Sequence, residues 1–379
     1  VLPKLVAIAG IVMILAIVWD AFEALVLPRT ANRPFRPARL FYRGTWPAWL
    51  GLAHLFPRRR RENFLAIFGP LSFLLLMACW AIGLVFGFAM VQWGLGSHLI
   101  VPRGTGGFWT DFYMSGTTLF TLGIGDVTPN SVFARALTVV EAGLGFGFLA
   151  LVIGYLPVLY QGFSRREVNI SLLDARAGSP PSAGELLLRH ADDMAGLESL
   201  LRDWERWAAE LMESHLSYPV LLYFRSQHEH QSWLGSLTAI LDASALVMVG
   251  IHGGPARQAQ LTFAMARHAV VDLAQATGTA PRGPETDRLP PEDFRSLQSL
   301  LIRNGVRLKE GAMAETALAA FRGLYEPYVA SLAARLHLML PPWRAPVDEA
   351  DNWRTSAWEA GSSGIAGLSR HDLGEHPEL

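Results

Sequence analysis

The chain reads as an all-α membrane protein: a helical membrane half followed by an all-α domain outside the bilayer. Three observations predict this. Three long apolar segments lie within the first 163 residues, each near or above the roughly 20 residues that cross a bilayer. After Ser164 the apolar residues recur with helical period and no strand-like alternation. The charge is also divided: residues 1–164 carry 12 Lys and Arg against 6 Asp and Glu, and residues 165–379 carry 20 against 27. A total of −1 therefore conceals a basic half and an acidic half.

The first segment, residues 5–27, holds Asp20 and Glu23 toward its end. No small-x-small cleavage site follows the apolar stretch, so residues 1–28 are expected to remain as a span and not to be removed as a signal peptide. Residues 29–63 form a basic loop with Arg29, Arg33, Arg36, Arg39, Arg43 and the run Arg58 to Arg61, opposed only by Glu62. Within it, residues 41–56 mix Trp46, Trp49 and leucines with Arg43 and His54; this stretch is too short to cross but suited to the headgroup interface. The second span, residues 64–93, contains no charge. The third, residues 131–163, is interrupted beyond Arg135 only by Glu141. The positive-inside rule makes the basic loop cytoplasmic. The connection between the second and third spans then faces outward, and Arg165 and Arg166 emerge into the cytoplasm. Cys79 is the single cysteine, so no intrachain disulfide and no cysteine-based metal site can form.

The most specific motif lies in that outward connection, at residues 107–129. Residues 108–118 can form a short re-entrant helix, and Thr121-Leu122-Gly123-Ile124-Gly125-Asp126 follows it. Glycine at alternate positions permits backbone angles closed to residues with a Cβ. Such a loop can aim successive carbonyl oxygens at a common axis, where they replace the water shell of a cation. A glycine turn between two ordinary spans is the plain alternative, but a helix and T-x-G-x-G-D between two spans is far more specific than Gly-x-Gly alone.

Residues 65–163 resemble the pore module of the potassium channel family, the bacterial two-span type, here with an extra N-terminal span and a helical cytoplasmic domain. The resemblance implies a pore-loop cation channel whose outer span is 64–93, pore helix and filter 107–129, and inner helix 131–163. It implies that the carbonyls of Thr121, Leu122, Gly123 and Ile124 form the ion sites, with the Thr121 hydroxyl at the cavity end and Asp126 at the outer mouth. Because the chain carries one filter, it implies a homotetramer. The pattern departs from the usual T-V-G-Y-G. Leu122 replaces valine, Ile124 replaces a tyrosine whose hydroxyl commonly ties the filter down, and Phe120 replaces a threonine. Met114 stands where many relatives have a tryptophan that bonds the aspartate, and the adjacent Tyr113 can substitute.

Further candidates surround this loop. Glu141 is positioned to bond behind the filter with Thr117, Thr118 or Ser115, or to be solvated near the outer interface. Gly145 falls where related inner helices bend, although close helix packing is an equal use of a small residue. Pro157 can kink the inner helix. Leu156 and Tyr160, four apart, can form an apolar constriction that gates by dewetting.

Residues 164–340 read as a helical cytoplasmic domain. Ser182-x-x-Glu185 is a capping box opening a helix through about Ser214. Further helices are expected after Pro219, near 231–251, 255–276, 291–303 and 310–340, the last bent at Pro327. Residues 237–251 are the nearest approach to another span, but they are short and hold Asp242. Residues 341–379, rich in small and polar types, are expected to be a flexible tail. No G-x-G-x-x-G after a strand, phosphate loop or Ser/His/Asp motif is present, so neither a nucleotide-sensing Rossmann domain nor an enzyme is indicated. His228 and His230 flank Glu229 in a polar cluster that either holds a metal or marks a helix junction; His215, His252 and His268 are available for pH sensing.

The reading that joins these features is a passive cation channel subunit, potassium-selective, in a bacterial inner membrane, with its C-terminal domain cytoplasmic. Arg outnumbers Lys about 30 to 2, consistent with a GC-rich bacterial genome. Its partners are the lipid bilayer, three further copies and an unknown regulatory ligand of the cytoplasmic domain; nothing indicates nucleic acid. It needs no cofactor, and no metal beyond permeant K+. A weakly selective cation channel and a membrane-anchored sensor or scaffold with a degenerate pore fold are the alternatives.

Overall fold

Between Lys4 and Asp20 no charged residue interrupts the chain, and residues Leu2–Leu25 form helix α1. The computed structural model of the chain describes residues 2–27, 37–101, 106–227, 231–308 and 312–344. The protein is all-α apart from one two-stranded ladder among these residues. By Cα packing it divides into two compact units, Val1–Gln161 and Gly162–Leu379.

In the first unit, α1 packs along the longer helix α3 (Arg58–Gly94). Their backbones meet where neither side has bulk: a Cβ on Gly94 would lie 2.5 Å from the Pro3 carbonyl oxygen. Small residues at such crossings exchange side-chain volume for close helix approach, the main source of association in lipid. Helix α2 (Pro37–Ala53), which contains the apolar and aromatic part of the basic loop, packs on α3 through Trp46, Trp49 and Phe68. Asp20 ties all three together. Its Oδ2 accepts from the Ala38 N–H in the first turn of α2 and from Trp80 Nε1 of α3, both at 3.0 Å. A buried acid of this kind is tolerated when donors converge on it.

After α3 come strand β1 (Leu99–Ile100), helix α4 (Phe108–Leu119), strand β2 (Thr128–Pro129) and helix α5 (Val132–Ala177). The Ser131 hydroxyl accepts from the Ala134 N–H and caps the start of α5. Helix α5 is unbroken through Pro157 and extends beyond residue 163, where the inner helix was expected to end.

The second unit contains the last turns of α5, then α6 (Ala183–Arg189), α7 (Met194–Ser217), a 3-10 turn (Pro219–Tyr223), α8 (Trp233–Gly250), α9 (Ala256–Ala276), α10 (Pro291–Arg303), α11 (Ala312–Gly323) and α12 (Glu326–Leu336). The single helix expected from Ser182 to about Ser214 is two. The capping box is formed, with the Glu185 N–H donating to Ser182 Oγ, but the chain turns after Arg189 and restarts when Asp193 accepts from the Gly196 N–H at 2.8 Å. A second N-cap thus outcompetes helix continuation. The helix expected over 310–340 is also two, divided at Leu324–Tyr325, with Pro327 in the first turn of α12, where its missing N–H costs nothing.

Helix α8 corrects the expectation that nothing after Ser164 is long enough to span: by length and composition it is. It is instead enclosed within its own unit on every side, from Trp233 to Val247. Residues 341–344, expected to belong to a flexible tail, are packed: Trp343 is 2 % exposed, and its carbonyl accepts from the Gly184 N–H. Residues 345–379 lie outside the described residues.

Candidate functional site

Helix α4 is held by aromatic packing on α3, with Phe86 against Phe108 and Phe112 at ring-centroid distances of 5.7 and 4.9 Å. Its first turn contains Asp111, fully buried, which accepts from the Ser97 hydroxyl at 2.6 Å. Ser97 lies in the turn that closes α3 and adopts a left-handed φ of 46°. Neither residue was singled out from the sequence, although an acid inside a re-entrant membrane helix is a candidate on principle.

The glycine loop starts where α4 runs out of hydrogen-bonding partners. The N–H groups of Leu122 and Gly123 both donate to the Thr117 carbonyl, at 2.8 and 3.2 Å, and the Thr121 N–H donates to the Thr118 carbonyl. These bonds consume C-terminal carbonyls of the helix that would otherwise be orphaned. The loop then alternates in hand: φ is 58° at Thr121, 54° at Gly123 and 81° at Gly125, while Leu122 and Ile124 stay on the negative side. A Cβ on Gly123 would meet nothing within 4 Å, so it is backbone conformation and not space that requires glycine there. Thr121 holds the same conformation with a β-branched side chain, an arrangement that costs of order 1–3 kcal/mol.

Asp126 ends the loop. Its Oδ2 accepts from the Tyr113 hydroxyl at 3.0 Å and its Oδ1 from the Val127 N–H. Immediately beyond, β2 pairs antiparallel with β1, placing Leu99 opposite Pro129, and the Asn130 N–H donates to the His98 carbonyl. The loop is thereby anchored at its start to α4 and at its end to the segment following α3.

Behind the loop, Glu141 of α5 is fully buried and paired with Ser115 of α4. Of the three partners considered from sequence, the geometry brings Glu141 to Ser115; Thr117 Oγ1 instead donates to the Met114 carbonyl. Ser115 Oγ also lies 2.9 Å from the Val85 carbonyl, so one hydroxyl joins α3, α4 and α5. Glu141 Oε2 has no hydrogen-bond partner among the described residues. Gly145 sits against the end of α4: a Cβ there would be 2.0 Å from the Leu119 carbonyl oxygen. Between α3, Leu119, Thr121, Gly145 and Phe148 lies an apolar cavity of about 500 Å3.

The side chains around this site are left open. Phe120, Leu122 and Ile124 are all more than half exposed, as are Val139, Phe146 and Ile153 on α5. Leu156 and Tyr160 are likewise exposed, 50 % and 61 %, in a helix that continues past Pro157. His228 and His230 lie outside the described residues, and among the described residues no group of three His, Cys, Asp or Glu side chains is arranged to hold a metal.

Residues 72–161 match the protein family described as "Ion channel". This stretch is similar to the pore-forming part of that family. The match begins within α3, takes in α4 and the glycine loop, and ends within α5. The chain is also 27% identical over 198 residues to the uncharacterized membrane protein YdjJ of Bacillus subtilis (strain 168). That alignment covers 50% of this chain and 55% of the relative, so the chain spans about half the length of the protein it resembles. No solved structure matches. The family match thus lies within the first unit, and the second unit is described by its own geometry.

Proposed function

We propose that this chain is one subunit of a passive, potassium-selective cation channel in a bacterial inner membrane, with four copies of Thr121–Asp126 around a single pore. The observation that carries this reading is the alternating hand of Thr121, Gly123 and Gly125 at the end of α4. Alternation turns successive peptide groups toward one side, the arrangement in which carbonyls can replace a cation's hydration shell. The C-terminal end of α4 adds the negative pole of a helix dipole just before the loop, which favours a cation there. The exposed apolar side chains of Leu122, Ile124, Val139 and Phe146 support assembly, since one chain alone leaves them uncovered. Tyr113 and the Ser115–Glu141 pair act as braces behind the loop, and Leu156, Pro157 and Tyr160 as the gate region. The second unit assembles or regulates the tetramer on the cytoplasmic side.

Reconstitution in liposomes tests the reading. Gly123→Ala and Gly125→Ala place a Cβ on backbone with φ of 54° and 81°, and both should abolish potassium-selective flux while the tetramer still assembles. Normal potassium-over-sodium permeability in either purified variant would overturn the filter assignment.

One observation favours a second reading, a weakly selective cation channel. Ile124 is 60 % exposed and has no hydroxyl to tie it to α4, so the loop's outer part is joined to α4 through the Asp126–Tyr113 bond. Reversal potentials measured with potassium on one side and sodium on the other separate the two.

A further inference from the structure

Helix α5 does not stop where its apolar membrane stretch stops. In its last turns, beyond Gln161, one face is committed to the second unit. Phe163, Arg166, Ile170, Leu173 and Ala177, spaced three and four apart, are buried. Arg166 is locked there by its own contacts: it donates to the Leu221 and Phe224 carbonyls and pairs with Glu167. The opposite face is uncovered. Val168 is 56 % and Leu172 53 % exposed, and both belong to the series Arg165, Val168, Leu172, Ala175, with spacings of three, four and three.

That spacing is the a/d repeat of helices that pack side by side in parallel. An isolated exposed leucine on a surface needs no explanation; what distinguishes this pair is the helix that carries it. Each chain has a single filter sequence, so the channel reading brings several copies of α5 around one axis. Because α5 is one unbroken helix from Val132 to Ala177, each copy carries its Val168 and Leu172 along with it. All copies run in the same direction, as a parallel contact requires.

We propose that Val168 and Leu172 pack against the same residues of neighbouring copies of this chain, forming an apolar collar that continues the pore assembly beyond the membrane. This interaction surface rests on the channel reading but goes beyond it, because a pore could form with these turns splayed apart.

Cysteine cross-linking of the full chain in membrane vesicles tests the surface. Replacing the single native thiol with Cys79→Ser leaves a silent background. Val168→Cys or Leu172→Cys should then give a covalent dimer as the major species on mild oxidation. Arg202→Cys, at an exposed position on α7, should stay largely monomeric. In parallel, the double variant Val168→Asp with Leu172→Asp should lose most of its tetramer at detergent concentrations the parent survives. Leu172→Ile should keep it. If the chain is tetrameric and conducts, yet positions 168 and 172 do not cross-link above the Arg202 control, the collar is wrong and the channel reading stands. The collar is equally excluded if the double aspartate variant holds its tetramer as the parent does. Monomeric protein without flux would overturn both. Cross-linking without flux would keep the contact between copies and remove the channel.

Discussion

At the scale of single residues, the membrane unit is governed by groups whose partners are far away in sequence. Glu141 meets Ser115, Asp111 meets Ser97, and Tyr113 meets Asp126. Gly145 shows how little room the arrangement leaves. Its position was open to two uses from sequence, bending or packing; the 2.0 Å approach of a hypothetical Cβ to the Leu119 carbonyl accounts for the glycine by packing alone. Gly145→Ala should therefore push α4 away from α5 just below Thr121. Overpacking of this kind costs about 1–3 kcal/mol, and both melting temperature and potassium flux should fall. Unchanged flux with an unchanged melt would show that the contact relaxes freely. Among the histidines, His215 is buried, with Arg166 Nη1 at 3.2 Å from its Nε2 and the Leu211 carbonyl at 2.9 Å from its Nδ1. A guanidinium can only donate, so Nε2 must be the bare acceptor and the ring neutral.

Burial first, and then the Arg166 charge, hold the His215 pKa well below its ordinary 6.5, against a smaller opposing effect from the Leu211 carbonyl. The unfolded chain takes up a proton below about 6.5 that the folded chain refuses. This side chain therefore destabilises the fold progressively as pH drops from about 6.5 toward the folded pKa, by up to about 1.4 kcal/mol per pH unit. Thermal melts from pH 7.5 to 5.5 should show a shallower decline for His215→Gln than for the parent; identical slopes would exclude a neutral buried His215.

At the scale of elements, helix boundaries separate what local pattern can specify from what it cannot. The capping box at Ser182 and Glu185 forms as its spacing indicates, yet the helix it opens ends after Arg189. Both sides of the break contain good helix formers, so the 3.6-residue period runs across it without a gap. Only the side chain of Asp193, bonded to the Gly196 N–H, marks the restart. Asp193→Ala should cost the second unit about 1 kcal/mol. The check is chemical denaturation of the full chain; a shift below a few tenths would mean that the turn is held by packing. The glycine loop behaves differently. Its glycines stand at alternate positions in the sequence and permit the left-handed backbone found at Gly123 and Gly125, whereas the bonds to Thr117, Thr118 and Tyr113 that hold the loop reach outside it.

At the scale of the whole molecule, the two units are stabilised by different physics. The membrane unit relies on close backbone approach and on acids that gather donors, as Asp20 does. The second unit has a large apolar core around α8, with a charge cluster inside it. Asp242 on α8 is fully buried, paired with Arg288 at 2.5 Å and bonded by the Tyr325 hydroxyl. Glu326 bridges Arg288 and Arg322 at 3.3 and 3.0 Å, and the Trp343 ring lies against both guanidinium groups at 5.7 and 5.6 Å. Removing one member strands the others. Arg288→Met should destabilise the unit by about 3–5 kcal/mol, whereas Arg288→Met combined with Asp242→Leu should recover much of the loss, because the carboxylate stranded by the single change is then gone as well. Equal melting temperatures for the single and double variants would show that the pair is not the source of the loss.

The amino-acid sequence by itself determined that the chain is an all-α membrane protein, where its apolar segments run, and that one copy of the T-x-G-x-G-D motif lies between two of them. These properties are periodic or contiguous, so a reader moving along the chain meets every part of the signal in one place. Tertiary structure alone decided that Glu141 turns to Ser115, that Asp20 joins three helices and that α8 is enclosed on every side within its own unit. It also decided that α5 keeps an apolar edge exposed beyond the membrane stretch. The physical reason is common to all four. The energy of a buried polar group or an apolar face is set by what touches it, and those neighbours are brought together only by folding.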